Sequence, residues 1–232
     1  MNEIIRKRKS IRKYDPAALN ETDLEKVREQ IGAVKPLYPD IRFSIKIETS
    51  AKSKLKGKAP HNLVFYSEIK KGAYENIGFI GQQMDLFFSG AGFGSCWLGM
   101  AKPEEKAESG MSHVICMAFG RPDEPLHRSP DDFKRKPLLE ISEGFDERLE
   151  AARLAPSGIN VQNWFFVAEN DEIHCYRKKG NPLLGLMAGK LGNIDMGIAI
   201  CHIAEESDSF SFGKKEGVAE RKKCTYIGTV GR

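Results

Sequence analysis

Hydrophobic and polar positions along the chain fall into two successive series of elements. Residues 2–9 read as a short, very basic helix, and Asp15-Pro16 marks its end, because a residue before proline avoids the helical region. Asn20 is a helix N-cap with Asp23 in the first turn, and Leu24, Val27 and Ile31 then recur at helical spacing. Ile41, Phe43, Ile45 and Ile47 alternate with polar residues, the pattern of a half-buried strand; residues 62–66 form a second, more apolar strand beyond a basic loop at residues 52–58. A long helix is predicted over residues 73–90. Ile77, Ile80, Met84, Phe87 and Ala91 follow one face, and Phe79, Leu86 and Phe88 add apolar surface elsewhere, which marks a helix buried in the middle of a fold. Gly90, Gly92 and Gly94 break it, residues 95–99 lead away, and residues 114–119 are a continuous apolar strand ending at Gly120-Arg121-Pro122.

Residues 123–136, rich in proline and charge, are the candidate linker, and beyond them the order of elements recurs. Residues 145–154 read as a helix that stops at Ala155-Pro156-Ser157-Gly158; residues 164–168 and 173–176 as two strands joined by a turn; residues 186–205 as a second mostly apolar helix; residues 226–230 as a last short strand. The expected division is therefore a first half at 1–122, a linker at 123–136 and a second half at 137–232. Lys7-Arg8-Lys9-Ser10 echoes Lys134-Arg135-Lys136-Pro137, and Gly78-Phe79-Ile80-Gly81 echoes Gly192-Asn193-Ile194-Asp195. A duplication is one explanation of this order.

The length of 232 residues, with 41% hydrophobic content, suits one large domain or two intimate half-domains. A net charge of only +4 does not by itself predict nucleic-acid binding. Basic residues nonetheless crowd residues 6–13, 134–136 and 221–223, as solvated faces or as a pocket for a phosphate. The five cysteines show no C-x-x-C spacing, so free thiols in a reducing compartment are expected. The start carries no apolar run of a signal peptide, and no stretch is apolar enough to span a membrane, so the expected location is the cytoplasm.

A catalytic side-chain set is not evident. None of the five histidines pairs with another at metal-ligand spacing, and His202, beside Cys201 on an apolar helix, reads first as a satisfied core histidine. The glycine-rich stretch at residues 90–99 follows a helix, whereas a dinucleotide fingerprint needs strand, turn, then helix. Two segments look instead like parts of a binding site. Arg8-Lys9-Ser10-Ile11-Arg12 puts two guanidinium groups and a hydroxyl where they can grip a phosphate. Residues 155–164 end a helix sharply and present Ser, Asn and Gln before an apolar strand; they suit the edge of a heterocycle, or are a helix C-terminal turn with incidental polar residues.

Here the sequence resembles the nitroreductase family of FMN-dependent oxidoreductases. The family's R-R-S-x-R opening is matched by residues 8–12, and its L-A-P-S-x-x-N-x-Q-P-W by residues 154–164, with Asn163 replacing the proline. Its G-L-G-S-C-W-L-G is matched by residues 92–99, its G-x-P strand end by Gly120-Arg121-Pro122, and its following basic segment by Arg135-Lys136-Pro137-Leu138. The order is unusual, since the A-P-S loop of the family follows R-R-S-x-R closely, whereas here it falls in the second half and Ala33-Val34-Lys35-Pro36 stands in its place in the first. That order is similar to a single-chain subgroup in which the two subunits of the usual homodimer are fused and one site survives.

The resemblance implies an α+β fold of two fused half-domains, each with a mainly antiparallel sheet and a long central helix. It implies that Arg8, Ser10 and Arg12 hold the FMN phosphate and ribityl chain with Lys9 adjacent, and that Arg135 adds a cation. Pro156, Ser157, Gly158 and Asn160 are expected to reach across to the flavin, and Trp97, Leu98 and Gly99 to lie along one flavin face or near its N5. The implied activity is reduction of nitroaromatic, quinone or similar electron-poor acceptors by NAD(P)H, in a chain active as a monomer with no catalytic acid, base or metal. A non-catalytic flavin-binding or redox-sensing module would keep the same residues.

Overall fold

The computed structural model describes residues 2–49, 59–179 and 185–231, so the basic loop expected at residues 52–58 lies outside the described residues. The elements in chain order are α1 (Glu3–Lys7), α2 (Glu21–Ala33), β1 (Phe43–Glu48), β2 (His61–Ser67), α3 (Ala73–Gly90), β3 (Gly94–Leu98) and β4 (Ser112–Gly120). They continue with α4 (Leu138–Ile141), β5 (Ser142–Glu143), α5 (Leu149–Leu154), β6 (Trp164–Glu169), β7 (Glu172–Lys178), α6 (Gly185–Ala204), β8 (Ser211–Gly213) and β9 (Cys224–Gly231). The fold is α+β. One sheet runs β1-β2-β4-β3, and the other runs β5-β6-β7-β9-β8, antiparallel except for the short β5–β6 pair. Apart from β5, the two sheets share one order, and each places its long helix between the second and third strands in sequence. Each also carries a register shift in its central pair, at Phe65/Tyr66 against β4 and at Cys175/Tyr176 against β9.

α3 packs on β2, β3 and β4, α6 packs on β6 and β7, and the helices pack on each other, so both lie between the sheets. Ile77, Phe79 and Ile80 of α3 join Ile194, Met196 and Ile198 of α6 in one buried cluster that takes in both sheets. Their crossing is close because it is made on glycine. A β-carbon at Gly78 would stand 2.0 Å from the Ile194 carbonyl oxygen, and one at Gly197 would stand 1.9 Å from that of Glu75. Each glycine thus meets a carbonyl three residues before the other, the reciprocal contact of an approximate twofold axis. Counted from these glycines, Asn76 of α3 occupies the place of Asp195 of α6. The sequence echo of residues 78–81 in residues 192–195 is therefore not the structural equivalence.

Other expectations shift at their ends. α1 stops at Lys7, and Arg8 turns to extended backbone (φ −58°, ψ 142°). The helix expected over residues 145–154 begins only at Leu149, because Gly144 sits at φ +76° against the Ala168 carbonyl and leaves Phe145 exposed. Of residues 95–99, expected to lead away from α3, all but Gly99 lie in the edge strand β3, which begins at Gly94, and α4, β5 and β8 carried too few residues to show a period. The segment read as a linker is tied to the chain start: Arg8 bridges His127, the Arg128 N–H donates to the Lys7 carbonyl at 2.9 Å, and Glu124 accepts from the Arg12 N–H at 2.7 Å.

Candidate functional site

Arg8, only 1% exposed, is the anchor of the amino-terminal segment. Its Nε lies 3.0 Å from Asp85 Oδ2 and its Nη2 donates to Ser10 Oγ at 3.3 Å, while Nη1 is buried without a partner. Asp85, on α3, also accepts from Ser95 Oγ at 2.6 Å and from Gln82 Nε2 at 2.9 Å. Gln82 Nε2 lies 3.1 Å from Nε2 of His202, whose Nδ1 lies 2.9 Å from the Ala151 carbonyl. Burial drives the His202 pKa down to about 3, so this ring is neutral, donating from Nδ1 and accepting at Nε2, and is a core histidine. A buried polar chain thus joins the start of the molecule, α3, α6 and α5.

Further cations gather beside Arg8. Arg128 and Arg135 both stack on the Phe133 ring, 4.7 Å and 5.5 Å from its centroid, and the Nε of each is buried without a partner. Burial lowers the Arg135 pKa to about 10, with repulsion from Arg8, Arg128 and Arg153 adding to it. Burial and then Arg8 lower that of Arg128, with Arg12 contributing and Asp132 opposing. Like charges with unused N–H groups are costly to bury, and a multiply charged anion relieves both costs. Arg12 itself is exposed, its Nη1 3.5 Å from the Ser10 carbonyl, and Lys9 pairs with Glu124 at 3.3 Å. Sequence reasoning placed Arg8, Ser10, Arg12 and Arg135 here and missed Arg128. The usable signal was a phenylalanine flanked at short range by two arginines.

The loop at residues 157–162 is built against this cluster. Arg135 Nη1 donates to Asn160 Oδ1 at 2.7 Å and its Nη2 to the Leu154 carbonyl at 3.3 Å, while Asn160 Nδ2 donates to the Lys134 carbonyl at 2.7 Å. Ser157 Oγ accepts from the Gln162 N–H at 3.0 Å, and the Gln162 Oε1 accepts from the Lys136 N–H at 2.8 Å. The Gly158 N–H donates to Asp195 Oδ1 on α6 at 3.0 Å. Pro156 is buried under the loop. Ile159, Asn160 and Gln162 all adopt positive φ, at 45°, 60° and 51°. Ile159 is β-branched and 93% exposed, so neither packing nor geometry rewards it there. Ile159→Gly should stabilise the apo-protein by about 1 kcal/mol in urea unfolding, the cost of a left-handed residue with a side chain. Destabilisation would show that the loop geometry is not as described.

β3 and the adjoining Gly99 carry the remaining sequence-predicted residues, and the Ser95 carbonyl of β3 accepts the Ile11 N–H at 2.8 Å. The Trp97 indole lies on Gly81 of α3, where a β-carbon would stand 2.3 Å from its Cη2, and stacks on Phe65 at 5.9 Å; its Nε1 is buried without a partner. Leu98 points the other way, into a cluster with Val64, Tyr66 and Cys116, as strand alternation requires. Gly99 is exposed, and its β-position is 3.6 Å from Leu191 Cδ2. Leu191 and Asp195 are one turn apart on the same face of α6. Gly99 of the first half, against Leu191, and Gly158 of the second, against Asp195, therefore lie along one strip of α6. Burial raises the Asp195 pKa to about 7, and its Oδ2 has no partner.

Elsewhere, an open cleft of about 520 Å³ is lined by Phe165, Lys178, Arg221, Lys222 and Cys224; it takes in part of the basic run at residues 221–223 and none of the residues expected to hold FMN. Among the described residues no group of His, Cys, Asp or Glu could hold a metal, no helix is long and apolar enough to cross a membrane, and the five cysteines are free.

Residues 1–207 match the family described as "Putative TM nitroreductase". The chain belongs to this family. A crystal structure from Thermotoga maritima described as a "putative nitroreductase" superposes with a TM-score of 0.70 at 19% identity, covering 98% of this chain and 91% of that one. A nitroreductase family protein from Clostridium difficile superposes with a TM-score of 0.50 at 19% identity, covering 60% of this chain and 96% of that one. No curated protein matches the sequence. The antiparallel sheets and central helices of this family member are thus the nitroreductase fold.

Proposed function

We propose that this nitroreductase family member binds one FMN per chain and uses NAD(P)H to reduce nitroaromatic, quinone or similar electron-poor acceptors. The observation that carries the reading is the set of buried, unpartnered N–H groups on Arg8, Arg128 and Arg135, gathered beside the loop at residues 157–160. A phosphate monoester has the charge and the acceptor atoms they lack. In this reading the ring system lies along the strip of α6 that Gly99 and Gly158 meet, with the unpartnered Trp97 Nε1 and Asp195 Oδ2 as polar atoms suited to a heterocycle edge. Bound FMN supplies hydride acceptance and transfer. The chain's own residues hold the phosphate, exclude water from the ring and surround it with positive charge that favours its reduced, anionic form. Ser10, Arg12 and Asn160 lie at the rim of this site, with Lys9 held beside it by Glu124.

The shared sheet order supports two fused halves, residues 1–122 and 137–232, joined through 123–136. Only residues 8–12 carry the Arg-x-Ser-x-Arg spacing and only the second half carries the A-P-S loop, so one site per chain and a monomeric working unit follow. Free thiols suit a reducing compartment, the cytoplasm.

Titrating apo-protein with FMN should saturate at one per chain, give a yellow protein and confer NAD(P)H oxidation. Two equivalent sites per chain would defeat the fused-half argument, and saturation without NAD(P)H oxidation would make the chain a flavin-binding module. A mixture of Arg8→Ala and Asn160→Ala chains should recover no FMN binding, since each site would keep one defect. Recovery would mean that sites form between chains.

A further inference from the structure

Asp195 is the one acid of α6, set in its apolar middle and 4% exposed. Its Oδ1 accepts the Gly158 N–H, and its Oδ2 has no partner. The related position across the approximate twofold axis is Asn76, a neutral amide whose Oδ1 accepts the N–H groups of Leu37 at 2.7 Å and Tyr38 at 2.9 Å. Asn76 Nδ2 is also unpartnered, but that position is closed over by loop side chains, with Leu37 buried and Tyr38 packed on Gly72. At Asp195 the covering residue is an exposed glycine, whose β-position is 3.9 Å from Oδ2. The same helix position thus carries an amide where the loop is shut and an acid where the loop is bare.

We propose that Asp195 binds the ring system of the flavin as a protonated carboxyl, donating from Oδ2 to a ring nitrogen or carbonyl while Oδ1 keeps the Gly158 N–H. This rests on the flavin reading above. A carboxylate would accept only, whereas the acid both accepts and donates, and the two faces of Asp195 need one of each. Burial raises its pKa to about 7, opposed in part by the Gly158 N–H. Charged groups on the packed elements act elsewhere. Glu75 on α3 feels Arg177 and Lys214, Asp85 pairs with Arg8, Lys190 of α6 acts on His113 and Arg135 faces Arg8 and Arg128. No charged side chain contributes to the shift of Asp195 among the described residues.

FMN affinity, read from quenching of flavin fluorescence between pH 6 and 8.5, tests this in wild type, Asp195→Asn and Asp195→Ala. Ionisation near pH 7 leaves about one-tenth of wild-type sites competent at pH 8, so the wild-type affinity should fall about tenfold from pH 6 relative to that of Asp195→Asn. Asp195→Asn keeps an acceptor for Gly158 and a donor at Nδ2, as Asn76 shows a buried amide can at this helix position, and its profile should follow the FMN phosphate alone. Asp195→Ala should bind at least fivefold more weakly than Asp195→Asn at pH 6. Ionisation of the FMN phosphate affects all three alike. Parallel profiles for wild type and Asp195→Asn, or equal affinities for the Asn and Ala variants at pH 6, would overturn the proposal. No FMN binding by any of the three at any pH would overturn the flavin reading itself.

Discussion

Gly197→Ala should destabilise the chain by about 3 kcal/mol or more in urea unfolding, the upper range for overpacking a filled core. The added β-carbon would meet the Glu75 carbonyl oxygen at 1.9 Å, and that oxygen belongs to backbone held in α3. Relief requires the two helices to separate, and α6 carries Leu191 against Gly99 and Asp195 against Gly158. The variant should therefore lose FMN affinity as well. Gly189→Ala is the internal control. It lies on the same helix with nothing within 4 Å of its β-position, so it should stabilise by about 0.5–1 kcal/mol through helix propensity alone. If Gly197→Ala stays within about 1 kcal/mol of wild type, the close crossing is wrong.

Arg8→Ala should act on both stability and binding, and the two effects can be separated. Without Arg8, Asp85 is left 1% exposed with no cationic partner, a change that costs about 3–5 kcal/mol for a buried pair. Part of this is returned, because Arg128 and Arg135 lose a repelling neighbour. A net loss of about 2 kcal/mol in the apo-protein is expected. FMN affinity should fall by a further ~2 kcal/mol, roughly thirtyfold, the scale of a lost charge-assisted contact. Riboflavin, which lacks the phosphate, should bind wild type and variant alike. The double variant Arg8→Ala/Asp85→Asn should regain stability without regaining FMN affinity, since it removes the stranded carboxylate but not the missing guanidinium. Equal losses for FMN and riboflavin would sink the phosphate role of Arg8.

Much of the chain was legible in one dimension. α3 and α6 showed because a helix apolar on several sides can only be buried, and β2, β4, β6 and β7 because alternation or continuous apolar runs bounded by turns leave few other options. Residues 8–12 and 154–164 stood out as binding segments because their polar groups are close in sequence, so local spacing alone brings them together. The same locality explains the misses. The glycine at 144 that delays α5 is felt only through the Ala168 carbonyl, and the edge strand β3 is defined by its partner β4.

By itself the sequence determined the α+β order of elements and the two apolar helices, and it marked the amino-terminal arginines as the candidate anion ligands. Those are consequences of periodicity and side-chain chemistry within a few residues of chain. Only the tertiary structure decided that Arg128 of the expected linker joins Arg135 on Phe133 near Arg8, that Gly78 and Gly197 meet each other's helix, and that Asp195 meets Gly158 one helical turn from where Leu191 meets Gly99. Each depends on groups far apart in sequence. Its physical content lies in distances, in repulsion between buried like charges and in desolvation of a lone carboxyl, and these arise only when the halves pack.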